Sequence, residues 1–402
     1  MALIVQKFGG SSVANTERLQ RVAGIIADTY CEGNDVVVVL SAQGDTTDEL
    51  IEKALALNPN PSKREMDVLL STGEQISIAL CAFALEKMGL PVISLTGWQV
   101  GMVTNSTYGN ARIKKVNAER IRKELDNRRI VLVAGFQGIN KYDDITTLGR
   151  GGSDTTAVAI AAALQADLCQ IYTDVDGVYT ADPRKVKDAK KLDEITYDEM
   201  LELASMGAQV LHNRSVEMAK RYSVNMEVLS SFERKPGTKV KEVTKLEDTK
   251  ISGVAKDTNV ARIALIGLKD EPGIAFKVFR IMANAKLNVD IILQSIGRGS
   301  TKDISFTVTR SDVDKAVAAL TEYQSSIGFT EISTDKSVAK VSIVGAGMMS
   351  SAGIAALMFE ALFDAKVNIQ MISTSEIKVS VLVTEREADR AVQAIHDKFF
   401  GV

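Results

Sequence analysis

The sequence predicts a three-layer α/β sandwich with a mainly parallel sheet, followed by two copies of a smaller βαββαβ unit. Three observations carry that expectation. Through the first 240 or so residues, short Val- and Ile-rich runs alternate with stretches of helical periodicity, the pattern of parallel strands joined by crossover helices. A polar, charged stretch at 230–253, "SSFERKPGTKVKEVTKLEDTKISG", then breaks the alternation. Beyond it the chain repeats itself with matching spacing.

In chain order, "LIVQKF" (3–8), "DVVVVLSA" (35–42), "PVISLTG" (91–97), "IVLVAGFQG" (130–138) and "CQIYTDVDGV" (169–178) read as buried strands. Between them, 15–33, 76–89, 117–127 and 153–166 carry apolar residues at helical spacing. "LNPNPSKRE" (57–65) reads as an exposed turn before the helix that carries Glu74. In the second half, "ARIALIGLKDEPGIAFKVFRIMANAKLNVDI" can be laid on "AKVSIVGAGMMSSAGIAALMFEALFDAKVNIQM". Gly273 to Asn288 and Gly353 to Asn368 have the same separation, and Ile274-Ala275 matches Ile354-Ala355. The strands "DISFTVT" and "KVSVLVT", and the helices around "DVDKAVAAL" and "EADRAVQAI", complete two ferredoxin-like patterns. The expected divisions are a first domain over 1–243, a linker over 244–260, and repeat copies at 261–336 and 337–402.

With 402 residues, 46% hydrophobic and 25% charged, the chain has material for the cores of two or three globular domains. A net charge of −3 gives no general surface for nucleic acid or anionic membranes. Cys31, Cys81 and Cys169 are odd in number and lack metal spacing, which fits a reducing compartment. "MALIVQKFGG" breaks at glycines after a short apolar run, so it reads as neither signal peptide nor membrane span. The expected location is cytoplasmic. Only His212 and His396 are present, so chemistry built on a histidine triad or a histidine-rich metal site is not expected.

No "GxxxxGK[ST]" occurs, and "VGAGMMS" (344–350) lacks the third glycine of a dinucleotide fingerprint. Gly- or Ser-rich turns instead follow the strand ends: "KFGGSSV", "SAQGDTTDE", "TGW", "GRGGSD" and "TDVDGVYTADPR". Open α/β sheets bind ligands at the carboxyl ends of their strands. Lys7, Ser41, Thr47 and Arg150 could therefore converge with Ser153, Asp154, Thr173 and Asp174. In "TTLGRGGSD" (146–154), Gly149, Gly151 and Gly152 admit positive φ and a close backbone approach, while Arg150 offers a planar fork for a carboxylate or phosphate. Ser153 and Asp154 fall near the start of the next helix, where unpaired N–H groups favour anions. Each feature alone is also compatible with a plain strand-to-helix turn and a solvated lysine.

"KFGGSSV", "LLSTGEQ", "TTLGRGGSDTTA" and "YTDVDGVYTADPR" resemble, in order, the motifs of the aspartate kinases, which have the amino-acid kinase fold. The repeated half resembles the paired ACT domains of the same enzymes, so the likeness covers essentially the whole chain. It implies ATP-dependent phosphorylation of the L-aspartate side-chain carboxylate to 4-phospho-L-aspartate. That is the first step towards lysine, threonine and methionine, with feedback through the ACT domains. By the same resemblance, Lys7 neutralises the transferring phosphoryl group, and Phe8, Gly9 and Gly10 approach the ATP phosphates. Thr173, Asp174, Tyr179, Asp182 and Arg184 would form the nucleotide segment. Mg2+ would be held mainly by ATP phosphates, with no protein metal ligand assigned.

For aspartate, the resemblance gives Arg150 to the α-carboxylate and Glu74 to the ammonium. Ser41, Thr47 and Ser153 would be hydroxyl contacts, and Asp154 would orient Lys7 or the ammonium. An effector (lysine, threonine or both) would meet Asp270, Gly273, Ile274 and Ala275 of one copy, with Gln294, Asn368 and Ile369. "ISGVAKD" (251–257) would complete the second ACT unit. A homodimer or larger assembly through the ACT domains is implied, and a separately translated regulatory subunit is compatible with it; nucleic acid and membrane partners are not. The chain departs from many relatives at Gln209 and Asn213, where Lys and Pro are common, so no lysine–ATP contact is carried to Gln209. Two competing readings are an amino-acid-binding regulator with an inactive kinase domain and another carboxylate-phosphorylating amino-acid kinase. The set Lys7, Glu74, Arg150 and Asp154 disfavours the first, and the ACT pair with "TTLGRGGSD" disfavours the second.

Overall fold

The Val-rich runs become neighbouring strands of one sheet, as their continuous apolar character requires for strands covered on both faces. The computed structural model describes residues 1–205, 210–242, 251–295 and 300–401, without the side chains of 349 and 350. They divide into two compact units.

The first unit comprises Met1–Tyr179, Lys191–Ser205 and the described part of 209–247. Its strands are β1 Leu3–Phe8, β2 Asp35–Leu40, β3 Val92–Leu95, β4 Met102–Thr104, β5 Ile113–Val116 and β6 Ile130–Ala134. β7 Gln137–Ile139, β8 Ile145–Thr147, β9 Leu168–Thr173, β10 Glu194–Thr196, β11 Met226–Ser230 and β12 Thr238–Lys241 follow. The main sheet has the order β10-β12-β11-β9-β1-β2-β6-β3, parallel throughout except between β11 and β12. Its helices are α1 Thr16–Cys31, α2 Thr46–Leu57, α3 Lys63–Lys87, α4 Glu119–Asp126, α5 Gly152–Leu164, α6 Tyr197–Ser205 and α7 Asn213–Tyr222. Val36, Val38 and Leu40 bury one face of the sheet against Leu19, Val22 and Ile26 of α1 and Ile78, Cys81 and Leu85 of α3. The opposite face is covered by α5, whose Ala-rich surface permits close approach to β1, β2 and β9. These are the three layers expected.

Two local expectations change. α3 begins at Lys63, not near 76, because Ser62, following Pro61, accepts a hydrogen bond from Glu65 N and caps the helix. Glu74 is therefore a mid-helix residue. By length and composition α3 could cross a membrane, yet its inward face is part of this core. "IVLVAGFQG" is not one strand: it breaks after Ala134, and Phe136 takes a left-handed φ of 67°. A Cβ on Gly135 would lie 2.6 Å from Ser153 Oγ, so the chain turns where only glycine fits beneath the start of α5. β7 then joins a separate small sheet, ordered β5-β4-β7-β8.

The second unit holds Thr180–Lys190 and the described part of 248–402. Its strands are β13 Gly253–Asp257, β14 Ala261–Lys269, β15 Ile292–Gln294, β16 Thr301–Val308, β17 Glu331–Asp335, β18 Val338–Val344, β19 Met371–Thr374 and β20 Lys378–Thr384. They form two antiparallel sheets, β15-β16-β14-β17 and β13-β18-β20-β19. Helices α8 Ile274–Asn284 and α9 Val313–Glu322 cover the first, with the short α10 Gln324–Ile327; α11 Ile354–Asp364 and α12 Ala388–Phe400 cover the second. The duplication extends to backbone geometry, since Gly273 and Gly353 cap α8 and α11 with φ of 92° and 89°. β13, from the polar stretch expected as a linker, pairs antiparallel with β18.

Where the sequence suggests one catalytic stretch unbroken through 1–243, residues Thr180–Lys190 belong instead to the second unit. The cause is burial: Ala181 and Val186 lie in the core of the second copy. Thr180 O accepts from Val254 N at 2.7 Å, and Thr180 Oγ1 meets His396 Nε2 at 2.9 Å.

Candidate active site

A cleft of about 710 Å3 opens in the first unit, lined by the turns after β1 and β2, by α3 and by the loop from Thr147 to Asp154. β1 ends at Phe8, which stacks on Tyr172 of the adjacent β9 with ring centroids 4.5 Å apart. That anchor leaves Lys7 pointing its ammonium at Asp154 of α5, at 2.6 Å, with the two side chains only 11% and 13% exposed. A Cβ on Gly9 would sit 3.4 Å from Lys7 Nζ, and one on Gly10 would sit 2.8 Å from Ala42 O. The paired glycines thus let the β1 turn lie against the β2 turn, where Gly44 N donates to Gly10 O.

The opposite wall is α3. Gly73 brings the helix so close to the β2 turn that an added Cβ would lie 2.8 Å from Ala42 Cβ. The next residue, Glu74, is 3% exposed, and its Oε1 accepts from Ala42 N at 3.2 Å. Its Oε2 is buried with no protein partner. Burial pushes this carboxyl up to about 7, only partly opposed by hydrogen bonds from main-chain N–H groups. A buried oxygen of this kind is costly to leave unpaired, which marks it as a place for a hydrogen-bond donor.

The loop that closes the cleft holds Gly149 and Gly151 in left-handed conformations, φ 77° and 67°, with exposed Arg150 between them. Ser41 and Thr47 line the same cleft from the β2 side, and Ser153 lines it from the start of α5. The structure therefore brings together Lys7, Gly9, Gly10, Ser41, Thr47 and Glu74 with Arg150, Ser153 and Asp154. Phe8 supports this wall from within the core and is fully buried.

Thr173, Asp174 and Tyr179 lie at and beyond the end of β9, outside the cleft lining, although Gly9 N donates to Tyr172 O alongside them. There Thr173 Oγ1 bonds Asp174, and Tyr179 donates to Asp176, which also faces Lys191 at 3.5 Å. Asp182 and Arg184 fall in the second unit, where the Arg184 guanidinium meets both Asp182 oxygens at 2.9 and 3.0 Å. Gln209 lies outside the described residues, and Asn213 opens α7 with its Nδ2 donating to Ser205.

Of the expected effector residues, Asp270 pairs with Lys302 at 2.9 Å beside the exposed Gly273 turn. Ile274 is buried, Ala275 packs on the first copy's core, and Gln294 lies exposed on the edge strand β15. Asn368 is exposed, and Ile369 packs on the core of the second copy.

Sequence reading missed Asp67 and Arg214. Asp67 lines the cleft, 1% exposed, and Arg214 donates to the main chain beneath the Arg150 loop. One signal existed: Asp67, Ser71 and Glu74 follow the i, i+4, i+7 spacing of a single helical face, and all three are buried. An inward polar stripe becomes visible once α3 is known to start at Lys63. In chemical terms the cleft offers a restrained ammonium, a buried carboxylate lacking a cation and an exposed guanidinium fork. This set suits a zwitterion that carries an additional anionic group.

Comparison with known proteins gives the following likenesses. The amino acid kinase family matches residues 2–230, and the ACT domain matches 263–324 and 341–399. The chain is 52% identical to an aspartokinase of Mycolicibacterium smegmatis, covering 99% of this chain and 96% of that protein. E. coli aspartokinase III crystallised with aspartate and ADP (R-state) is 28% identical, with a TM-score of 0.83 over 99% of this chain and 100% of that one. The same enzyme with lysine and aspartate (T-state) is 27% identical, with a TM-score of 0.77 over 99% of each chain.

Proposed function

The chain belongs to the amino acid kinase family, among its aspartokinases, and from that membership we propose how this cleft performs the reaction. The enzyme transfers the γ-phosphoryl group of ATP to the side-chain carboxylate of L-aspartate, giving 4-phospho-L-aspartate and ADP, and its ACT copies regulate that activity. The nucleophile is ionised at neutral pH, since its ordinary pKa is about 3.9. No general base is required, in keeping with a chain of two histidines. One carboxylate oxygen bonds to the γ-phosphorus as the bond to the bridging oxygen breaks, and ADP carries away that electron pair.

The obstacle is repulsion between an anion and a polyphosphate, so positioning and charge neutralisation dominate. Lys7, held by Asp154, neutralises charge gathering on the transferring group. Gly9 and Gly10 let main-chain N–H groups approach phosphate oxygens. Arg150 clamps the aspartate α-carboxylate, while Ser41, Thr47 and Ser153 supply hydroxyl contacts. Glu74 takes the ammonium, and its partnerless Oε2 is the observation that carries this assignment. Mg2+ would be bound chiefly by phosphate oxygens and water. Thr173, Asp174 and Tyr179 would receive the nucleotide.

We further assign a cytoplasmic enzyme at the entry to lysine, threonine and methionine synthesis, assembled at least as a homodimer through its ACT copies and open to a separate regulatory subunit. Lysine, threonine or their combination would bind near Asp270, Gly273–Ala275, Gln294 and Asn368–Ile369. An effector ammonium would compete with Lys302 for Asp270, so Asp270→Ala should raise the half-inhibitory concentration several-fold while changing basal turnover less than twofold; a coupling of about 1–3 kcal/mol covers that range. The reaction is tested by ADP release with aspartate, with glutamate and without acceptor. Release that ignores aspartate would end the assignment, and inhibition unchanged by Asp270→Ala would end the effector site.

A further inference from the structure

One buried carboxylate and one half-buried guanidinium stitch the main chain that carries Arg150, and among the described residues neither forms an ion pair. Asp67, projecting from α3, accepts from Gly109 N at 3.0 Å, Thr147 N at 2.9 Å and Thr147 Oγ1 at 2.7 Å. Arg214, from α7, donates to Leu148 O at 2.5 Å, Ala111 O at 2.9 Å and Asn110 Oδ1 at 3.3 Å. The segments they grip also bond each other, Ala111 N to Thr147 O at 2.8 Å. Thr147 and Leu148 are the last residues before Gly149-Arg150. The start of α7 abuts the far side of that turn, where a Cβ on Gly151 would come within 2.1 Å of the His212 ring.

Burying a carboxylate and half-burying a guanidinium costs free energy that main-chain bonds only partly return. Desolvation accordingly pushes the Asp67 carboxyl up and the Arg214 guanidinium down. Three anchors from two helices thus surround a turn whose glycines would otherwise leave it free to shift.

We propose that Asp67 and Arg214 are positioning residues that fix the distance between Arg150 and Lys7, and so set both aspartate affinity and the discrimination against a dicarboxylate one methylene longer. This rests on the reading that Arg150 holds the α-carboxylate. With that end pinned, the reacting carboxylate of aspartate reaches the transferring phosphoryl group, and that of glutamate overshoots. A loosened turn would accommodate both. One methylene is ordinarily worth about 10–200-fold in kcat/KM, which is the range available to lose.

The experiment uses the full-length enzyme and four single variants, Asp67→Asn, Thr147→Val, Arg214→Lys and Arg150→Lys, with aspartate and glutamate as acceptors and thermal midpoints recorded. Asp67→Asn and Arg214→Lys should raise the aspartate KM about tenfold, leave the ATP KM within about twofold, and cut the aspartate-to-glutamate ratio of kcat/KM at least about fivefold. Thr147→Val, which removes one hydroxyl and no main-chain bond, should move the same quantities in the same direction by less; it and Arg214→Lys decide the matter if Asp67→Asn does not fold. Arg150→Lys combined with Asp67→Asn should raise KM little beyond the larger single effect, because one acts through the other. Lowered thermal midpoints with an unchanged acceptor ratio, or single effects that multiply in the double variant, would overturn the proposal. An unchanged aspartate KM in Arg150→Lys itself would instead sink the reading of Arg150, a separately recognisable result.

Discussion

The two sides of the reaction centre hold their polar groups in opposite ways. On the acceptor side, Asp67 and Glu74 are buried to within a few per cent, and each carboxylate accepts main-chain N–H groups at 2.9–3.2 Å. Beyond β9, on the proposed nucleotide side, Asp176 and Tyr179 are half-buried and Asp174 is exposed; Tyr179 donates to Asp176, which also faces Lys191, and Asp174 accepts from Thr173. The acceptor side is built before the substrate arrives, at a standing energetic cost. The other side is partly solvated, so the proposed nucleotide, a large and highly charged ligand, would bring most of its own electrostatics there. A small zwitterion with few atoms must be recognised by prepaid geometry.

Lys7 lies where the two sides meet, and its removal should give the largest effect. Lys7→Ala is expected to lower kcat about 10²–10³-fold, the scale for losing a preorganised donor at a developing charge, with aspartate KM changed far less. Steady-state kinetics on the folded variant check this, and near-normal turnover would leave the lysine a purely structural partner of Asp154.

Glu74→Gln should raise the aspartate KM about 10–100-fold, since a buried charge pair is lost. It should also remove a pH dependence. With the empty carboxyl near 7, a proton must leave before the ammonium can pair, so the wild-type aspartate KM should climb about tenfold per unit as pH falls below 7. The stability effect has the reverse sense. The folded carboxyl lies above its ordinary 4.5, so folding takes up a proton between about 4.5 and 7. The empty wild type then loses stability as pH rises through that window, and Glu74→Gln should melt higher than wild type at pH 8 with the gap closing by pH 5. Calorimetric scans at both pH values test it; an equal gap at each would mean the carboxyl is not strained by burial.

The smallest effect is expected on the solvated side. Tyr179→Phe removes one bond to Asp176 and should alter the ATP KM less than about threefold, because partly solvated polar contacts contribute little. A tenfold change would erase the contrast between the two sides.

The legible part of this molecule was whatever local chemistry encodes. Val36–Leu40 declares a strand buried on both faces, and Gly9-Gly10 and Gly149–Gly152 declare strand-end turns. The duplication declared itself through glycines eighty residues apart. Asp67 was illegible alone, since its donors lie 42 and 80 residues away and a lone helical aspartate has the same appearance when solvated. The break at Gly135-Phe136 was hidden for a similar reason: the apolar run continues while the backbone turns at a glycine that Ser153, eighteen residues on in α5, leaves no room to replace. Continuity misled in another way at Thr173–Arg184, one uninterrupted motif whose last residues belong to the other compact unit.

That excursion has a bearing on how the gene can be divided. Ala181 and Val186 sit in the same core as Val341, Ile343 and Ile395, though more than 150 residues separate them in the chain. Cutting the coding sequence near codon 243 would split one hydrophobic core between two polypeptides. A regulatory fragment translated alone would carry a notch where those two side chains belong, and the amputated kinase would carry the two plugs into water. Each piece would be stickier than the whole, and co-expression would be a more favourable route to either than purification alone.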